Sequence, residues 1–184
     1  MATNGSTVNV PNGITVVRIA IVPVFVVLLL LEPNPESFER WIAIFLFVLA
    51  SATDGLDGAV ARKRNQITNL GKILDPIADK TLIGGALITL SYLGEIPLWI
   101  TLVILIRELI ITFYRILVIR TRVIAASFAG KLKTIFQSIA IGAVLAPFEI
   151  WLPAWSYFET FLLWLALALT IVSGAQIIWR GKKS

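Results

Sequence analysis

Long apolar runs separated by short polar breaks make up most of the 184-residue chain. A helix that spans a bilayer needs roughly 20 mostly apolar residues, and six runs reach that length. They predict transmembrane helices at about 14–31, 41–61, 72–93, 97–119, 131–149 and 156–178. Proline, glycine or clustered charge occupies the breaks, as expected where helices end. The pattern therefore predicts an all-α membrane protein with six transmembrane helices in one domain, residues 1–184.

Basic residues follow alternate runs, and this asymmetry predicts the orientation. They are concentrated after the second run, after the fourth run and in the tail: Arg62, Lys63, Arg64 and Lys72; Arg115, Arg120, Arg122, Lys131 and Lys133; Arg180, Lys182 and Lys183. The other connections carry mainly glutamate and aromatic side chains. Because cytoplasmic loops retain Lys and Arg, both termini are predicted to be cytoplasmic in a multi-pass protein of the plasma membrane.

The composition agrees with a membrane protein and limits the side chains that are available for catalysis and metal binding. Hydrophobic residues make up 58% of the chain, and the mean hydropathy is +0.88, outside the range of soluble domains. Cysteine and histidine are absent, so disulfides, thiolate ligands and a histidine base are excluded. The net charge of +5 is spread over loops beside lipid headgroups, which favours membrane lipids as partners and argues against nucleic acid. The first run lacks the flanks of a cleaved signal and is expected to remain a helix.

Four aspartates interrupt the apolar pattern near the predicted turn between the second and third helices. Asp54 and Asp57 are three residues apart and share one helix face. Asp75 and Asp79 are four residues apart and share a face of the next helix. An antiparallel turn at about 63–69 brings the two pairs level, within roughly 10 Å of the cytoplasmic boundary. The sequence therefore predicts that the four carboxylates converge.

Such a cluster requires a ligand. An ionised aspartate at the bilayer centre costs about 2.5–3.5 kcal/mol, less towards the interface, so four are too costly as packing filler. Solvated loop charge is the alternative, and it fits poorly because the loop charges here are basic. An all-oxygen site suits Mg²⁺ or Mn²⁺, and four carboxylates suit two ions that clamp the oxygens of a phosphoryl group. Gly58 and Gly71 leave room for a ligand, and Arg62 is placed to grip a phosphate.

The spacing of these residues resembles the signature of the CDP-alcohol phosphotransferase family. The matching positions are Asp54-x2-Asp57-Gly58-x2-Ala61-Arg62-x8-Gly71-x3-Asp75-x3-Asp79. The resemblance implies that a CDP-linked lipid loses CMP as an alcohol attacks the phosphorus attached to the lipid. It also implies that the first three aspartates bind metal, that Asp79 is the base and shares metal contact, and that the protein is a homodimer. Gly58, Ala61, Arg62 and Gly71 would surround the cytidine diphosphate.

A second set of charges bears on the attacking alcohol. Arg107 and Glu108 lie in the middle of the fourth run, where charge should face the protein interior. Arg115 falls near the face of Arg107, and Lys131 and Lys133 open the fifth run. Arg107, Arg115, Lys131 and Lys133 are therefore the candidate ligands for a phosphate on the acceptor. The alternative is that the basic residues of this region only set the topology: Arg115, Arg120, Arg122, Lys131 and Lys133. This alternative is favoured for Arg120 and Arg122, and the phosphate site for Arg107, Arg115 and Lys133.

Other stretches favour one acceptor within the family. The four that most resemble members using sn-glycerol 3-phosphate are Pro11-Asn12-x-Ile14-Thr15-x2-Arg18, Ala61-Arg62-Lys63-x-Asn65-Gln66-x-Thr68-Asn69-x-Gly71-Lys72, Arg107-Glu108 and Gly130-Lys131-x-Lys133-Thr134-x2-Gln137. Some of these features recur in relatives that use inositol phosphate or phosphatidylglycerol. CDP-diacylglycerol and glycerol 3-phosphate are therefore the expected substrates. A cation transporter is a remote alternative, opposed by acids at one helix end only and by the adjacent cations.

Overall fold

The computed structural model describes the backbone of residues 10–63, 69–118 and 128–183, and the side chains of residues 13–53, 77–114 and 130–179. Within these ranges it contains helices and no strand. The helices are α1 (Val10–Leu31), α2 (Phe38–Lys63), α3 (Asn69–Tyr92), α4 (Leu98–Val118), α5 (Phe128–Leu145) and α6 (Trp155–Lys183), with a 3₁₀ turn at Phe148–Ile150. The all-α class and the six helices predicted from the sequence are confirmed.

Prolines explain two of the helix ends that differ from the predicted ones. α1 begins at Val10, ahead of position 14, because Pro11 falls in the first turn, where its missing N–H is not needed. α5 ends at Leu145, short of position 149, because Pro147 disfavours helix in the residue before it. The 3₁₀ turn then leads towards α6.

Two helices, within the described residues, are long and apolar enough to cross a bilayer. They are Gly13–Leu31, with a mean hydropathy of 2.9, and Trp155–Trp179, with a mean hydropathy of 2.1. Large apolar side chains are also exposed along α4, among them Ile106, Leu109 and Phe113. An apolar surface of this extent suits lipid better than water. Crossing by all six helices, and the orientation of the termini, remain predictions.

The chain forms two compact units, Met1–Thr89 and Leu90–Ser184. In the first unit, α1 buries one stripe at helical spacing: Thr15, Arg18, Val22, Phe25 and Leu29. The ring of Phe25 lies 5.8 Å from that of Phe47 on α2. On α3, a Cβ added to Gly85 would lie 3.1 Å from Val22. The absence of a side chain at Gly85 therefore lets α3 approach α1 closely.

The second unit contains α4, α5 and α6. Gly94, at φ +81°, lies beyond the end of α3, and the backbone N–H of Glu95 donates to the carbonyl of Leu90 across this turn at 2.9 Å. The indole N–H of Trp155 donates to the carbonyl of Ala143 at 3.0 Å, which joins the start of α6 to α5. The ring of Trp155 also meets that of Phe148 edge to face, with centroids 5.0 Å apart.

Candidate active site

The four predicted aspartates lie on two helices of the first unit. Asp54 and Asp57 belong to the C-terminal part of α2, and Asp75 and Asp79 belong to the N-terminal half of α3. Asp79 is half-buried and follows the fully buried Ala78. The side chains of the other three aspartates lie outside the described residues. Their convergence therefore stays a prediction, as do the ligand contacts of Gly58, Ala61, Arg62 and Gly71 on the same helices.

The buried face of α2 leads towards the aspartate positions. Ala43, Phe47 and Ala50 are fully buried at spacings of four and three residues. The helix continues without interruption to Lys63, and the same repeat next reaches positions 54 and 57. The repeat therefore predicts that Asp54 and Asp57 continue the face formed by Ala43, Phe47 and Ala50.

The available donors fit a hard divalent cation. The chain offers no histidine or cysteine, so protein ligands must come from oxygen, which suits Mg²⁺ and Mn²⁺. Among the described side chains, no group of three or more acidic residues forms a cluster. Asp79 is the one member of the predicted set whose carboxylate is described.

In the second unit, one carboxylate holds two of the predicted acceptor cations. Glu108 Oε1 lies 2.7 Å from Arg107 Nη1 on the same helix. The same oxygen lies 2.5 Å from Lys133 Nζ on α5. Lys133 is only 6% exposed, so this pairing takes place inside the unit. Hydrogen bonds between ionised groups are among the strongest in proteins, and they tie α4 to α5 here.

The guanidinium of Arg107 is also held by α6. Its Nη2 donates to Ser173 Oγ at 2.6 Å. A Cβ added to the next residue, Gly174, would lie 2.9 Å from Arg107 Nε, closer than real Cβ contacts come. Gly174 is therefore required by the position of the arginine side chain, and Ser173 fixes the direction of its outer nitrogen.

A second polar contact lies beside this cluster. Gln137, one helical turn after Lys133, donates from Nε2 to Thr170 Oγ1 at 2.9 Å. Thr170 and Ser173 are fully buried on one face of α6. Together these contacts form a buried polar layer across α4, α5 and α6, comprising Arg107, Glu108, Lys133, Gln137, Thr170, Ser173 and Gly174.

Sequence reasoning identified only part of this layer. Arg107 and Lys133 were predicted to belong to one site, and the structure brings them together at Glu108. Lys131 is exposed on α5, and the side chain of Arg115 lies outside the described residues. Glu108 as the common partner was missed, as were Thr170, Ser173 and Gly174. The last three residues lie within one apolar run of the sequence. Hydroxyl residues and glycine in such a run are typical of polar contacts between membrane helices, and this was the signal that could have identified them.

The charge balance of the layer favours an anionic ligand. Two cations, Arg107 and Lys133, lie around one carboxylate in a largely buried place. Arginine binds phosphate through a planar fork of donors, and lysine adds a point charge. The pair of cations is therefore suited to bind a phosphate group.

Comparison with known proteins identifies the class. The chain belongs to the CDP-alcohol phosphatidyltransferase family, whose sequence profile matches residues 8–172. The resemblance in the aspartate signature is thereby confirmed, and the protein is a transferase of phospholipid biosynthesis. Members of this family generally depend on a divalent metal.

Curated relatives narrow the comparison further. A CDP-diacylglycerol–glycerol-3-phosphate 3-phosphatidyltransferase of Bacillus subtilis is 42% identical over 179 residues, covering 90% of this chain and 91% of the relative. The enzyme of that name in Rickettsia typhi is 37% identical over 174 residues, covering 90% of this chain and 93% of the relative. A probable phosphatidylglycerophosphate synthase of Mycobacterium tuberculosis is 48% identical over 139 residues, covering 76% of this chain. The match spans 66% of that relative's length.

The packing of Arg107 against Gly174 yields the first testable prediction. Gly174→Ala should displace the guanidinium from Ser173, because the new methyl group would lie 2.9 Å from Arg107 Nε. Overpacking of this kind costs about 1–3 kcal/mol. We expect a lower melting temperature in detergent and reduced transferase activity.

Gly13→Ala is the matched control, because a Cβ at Gly13 meets nothing within 4 Å. Alanine is the better helix former by about 1 kcal/mol, so this variant should be as stable as the original chain or more stable. Equal behaviour of the two variants would contradict the close packing at Gly174.

Proposed function

We propose that the protein transfers the phosphatidyl group of CDP-diacylglycerol to sn-glycerol 3-phosphate, with release of CMP and formation of phosphatidylglycerophosphate. The observation that carries this proposal is the similarity, along 90% of the chain, to relatives whose names specify this reaction. The buried cations Arg107 and Lys133 of the second unit support a phosphorylated acceptor, because arginine and lysine are the side chains that bind phosphate.

The transfer is a displacement at the phosphorus that carries the diacylglycerol. The acceptor hydroxyl oxygen attacks this phosphorus, the bond from it to the CMP oxygen breaks, and CMP leaves with that oxygen. Asp79 is proposed as the base that accepts the hydroxyl proton, which its half-buried position on α3 allows. Asp54, Asp57 and Asp75, together with Asp79, would hold two Mg²⁺ or Mn²⁺ ions. When bound, such ions stabilise the charge that develops on the phosphoryl oxygens.

Binding of the two substrates is assigned to different residues. Gly58, Ala61, Arg62 and Gly71 are proposed to surround the cytidine diphosphate. Of the predicted cations Arg107, Arg115, Lys131 and Lys133, the buried Arg107 and Lys133 are proposed to hold the acceptor phosphate most strongly, and the exposed Lys131 to contribute little. Within this set, Glu108 keeps Arg107 and Lys133 close together, so that both charges act on one phosphate.

The proposed reaction fits a membrane location. CDP-diacylglycerol resides in the bilayer, and the apolar helices Gly13–Leu31 and Trp155–Trp179 are suited to the same environment. We propose six spans with both termini and the active site on the cytoplasmic side, where basic loops are retained. A homodimer in the plasma membrane is part of this proposal.

The acceptor is tested by a substrate panel. Purified protein with labelled CDP-diacylglycerol is offered glycerol 3-phosphate, inositol phosphate, serine or phosphatidylglycerol, and CMP release is measured. We expect the highest kcat/KM with glycerol 3-phosphate, because the cation cluster suits a phosphate on a small alcohol. Faster release with another acceptor would overturn the proposed acceptor, and no release with any acceptor would overturn the enzyme activity.

Two lysines of α5 provide a paired test of the acceptor site. Lys133 is buried against Glu108, whereas Lys131 is exposed two residues away. Lys133→Gln should raise the KM for glycerol 3-phosphate roughly tenfold or more, since it removes a charge-assisted hydrogen bond. Lys131→Gln should change it by less than about fivefold, as exposed charges contribute little. An equal rise in the KM for CDP-diacylglycerol in Lys133→Gln would count against the assignment.

The metal assignment is tested at Asp57 on α2. Asp57→Asn keeps the shape of the side chain but removes its charge, so turnover should be lost. EDTA should silence the unaltered enzyme, and Mg²⁺ or Mn²⁺ should restore it. Kinetic assays with each ion at increasing concentration measure both effects. Retained turnover with unchanged metal dependence in Asp57→Asn would reject this residue as a ligand.

A further inference from the structure

Two polar side chains are buried in α1 without a role in the mechanism described above. Thr15 and Arg18 are each 1% exposed, and they lie three residues apart on the face that continues through the apolar Val22 and Phe25. Lysine and arginine are almost never fully buried unless they are paired. A buried arginine in an apolar helix is costly, so it indicates a functional anion or a partner charge inside the unit.

The register of α1 and α2 places Arg18 level with the first aspartate. The two helices are joined by the short connection 32–37, so they run antiparallel. Phe25 on α1 meets Phe47 on α2, with ring centroids 5.8 Å apart. Arg18 precedes Phe25 by seven residues, and position 54 follows Phe47 by seven. Both are therefore about 10 Å along the helix axis from the aromatic contact, in the same direction.

The contact between α1 and α3 independently places Arg18 near the level of an aspartate, here Asp79. Only five residues separate the end of α2 from the start of α3 in the sequence, which favours an antiparallel pair and makes α3 parallel to α1. Gly85 lies against Val22. Arg18 is four residues before Val22, about 6 Å along the axis, and Asp79 is six residues before Gly85, about 9 Å. Helix side chains point towards the N-terminus, which carries the guanidinium of Arg18 towards the level of Asp79.

We propose that Arg18 is a substrate-binding residue that donates hydrogen bonds to the diphosphate of the CDP-lipid, with Thr15 beside it. This assignment rests on the proposed function, since it takes CDP-diacylglycerol as the ligand. Two divalent ions would balance four carboxylates, whereas the diphosphate brings negative charge that still needs a cation. The planar fork of an arginine matches two phosphate oxygens. Burial among packed helices also strengthens such a contact, because water does not screen it.

The first unit contains a matched control. Arg40 is also buried, at 2% exposure, but it lies in the first turn of α2. Position 40 is about 21 Å along the helix from position 54, at the opposite end of the unit. Loss of the Arg40 charge therefore shows how much the removal of a buried arginine damages the fold. It should not affect a ligand bound near the aspartates.

The experiment measures equilibrium binding of CDP-diacylglycerol to the purified full chain in nanodiscs, with Mg²⁺ and without acceptor. Arg18→Gln should raise the Kd roughly ten- to hundredfold, the loss expected for a hydrogen bond between charged groups. Arg18→Lys keeps the charge but loses the fork, so its Kd should rise by a smaller factor, about three- to tenfold. Arg40→Gln should bind as tightly as the original chain, and the KM for glycerol 3-phosphate should stay unchanged in Arg18→Lys.

The outcomes separate this inference from the proposed function. If the original chain does not bind CDP-diacylglycerol, the proposed function fails. If the original chain binds it and Arg18→Gln binds equally well, the inference about Arg18 is overturned while the function stands. Equal weakening in Arg18→Gln and Arg40→Gln also overturns it, because the effect would then reflect damage to the fold. Where Arg18→Gln does not fold, an unchanged Kd in Arg18→Lys has the same meaning.

Discussion

Charge inside apolar helices must be paired within the protein, and this constraint organises both units. In the second unit, Glu108 accepts from Arg107 and Lys133, so that three helices meet at one set of polar contacts. A lone charge in such a place would cost several kcal/mol, whereas a paired cluster with hydrogen bonds is tolerated. These contacts favour the faces of α4, α5 and α6 that carry Arg107, Glu108, Lys133 and Ser173 as the inward ones. The apolar contacts around them are less specific, since lipid and protein interiors are similarly apolar.

Glycine occurs at two positions where a side chain of another helix packs against the helix backbone. Gly174 leaves room for the guanidinium of Arg107, and Gly85 leaves room for Val22 of α1. The first contact orients a charge and the second brings two helix backbones together. A methyl group at Gly174 would meet the middle of a long side chain, which cannot move without loss of its bond to Ser173. The same residue type therefore has an orienting role in one unit and a packing role in the other.

The length and period of the apolar runs were sufficient to predict six helices, because a helix in lipid needs a minimum apolar length. The helix ends were predicted less well, since Pro11 and Pro147 act through local backbone geometry that hydropathy does not reflect. Arg107 and Lys133 were predicted to share a site from the cost of buried charge at Arg107 and from the position of Lys133 at the start of the fifth run. Their common partner was not predicted, because Glu108 and Lys133 are 25 residues apart and only packing brings them together. Ser173 was missed because a hydroxyl in an apolar helix can equally bond to its own backbone, as Thr170 does with Ala166.

The polarity of α1 changes along its buried stripe, and this change distinguishes the two ends of the first unit. Thr15 and Arg18 are followed by Val22, Phe25 and Leu29 on the same face. Counted from the contacts of Phe25 with Phe47 and of Val22 with Gly85, the spacing puts Arg18 near the level of Asp54 and Asp79. A buried arginine does not mark a site by itself, since Arg40 is equally buried at the other end. We infer a diphosphate ligand instead from the combination of a buried cation with aspartate positions near its level, since charges of both signs at the same depth in apolar helices are costly without a ligand.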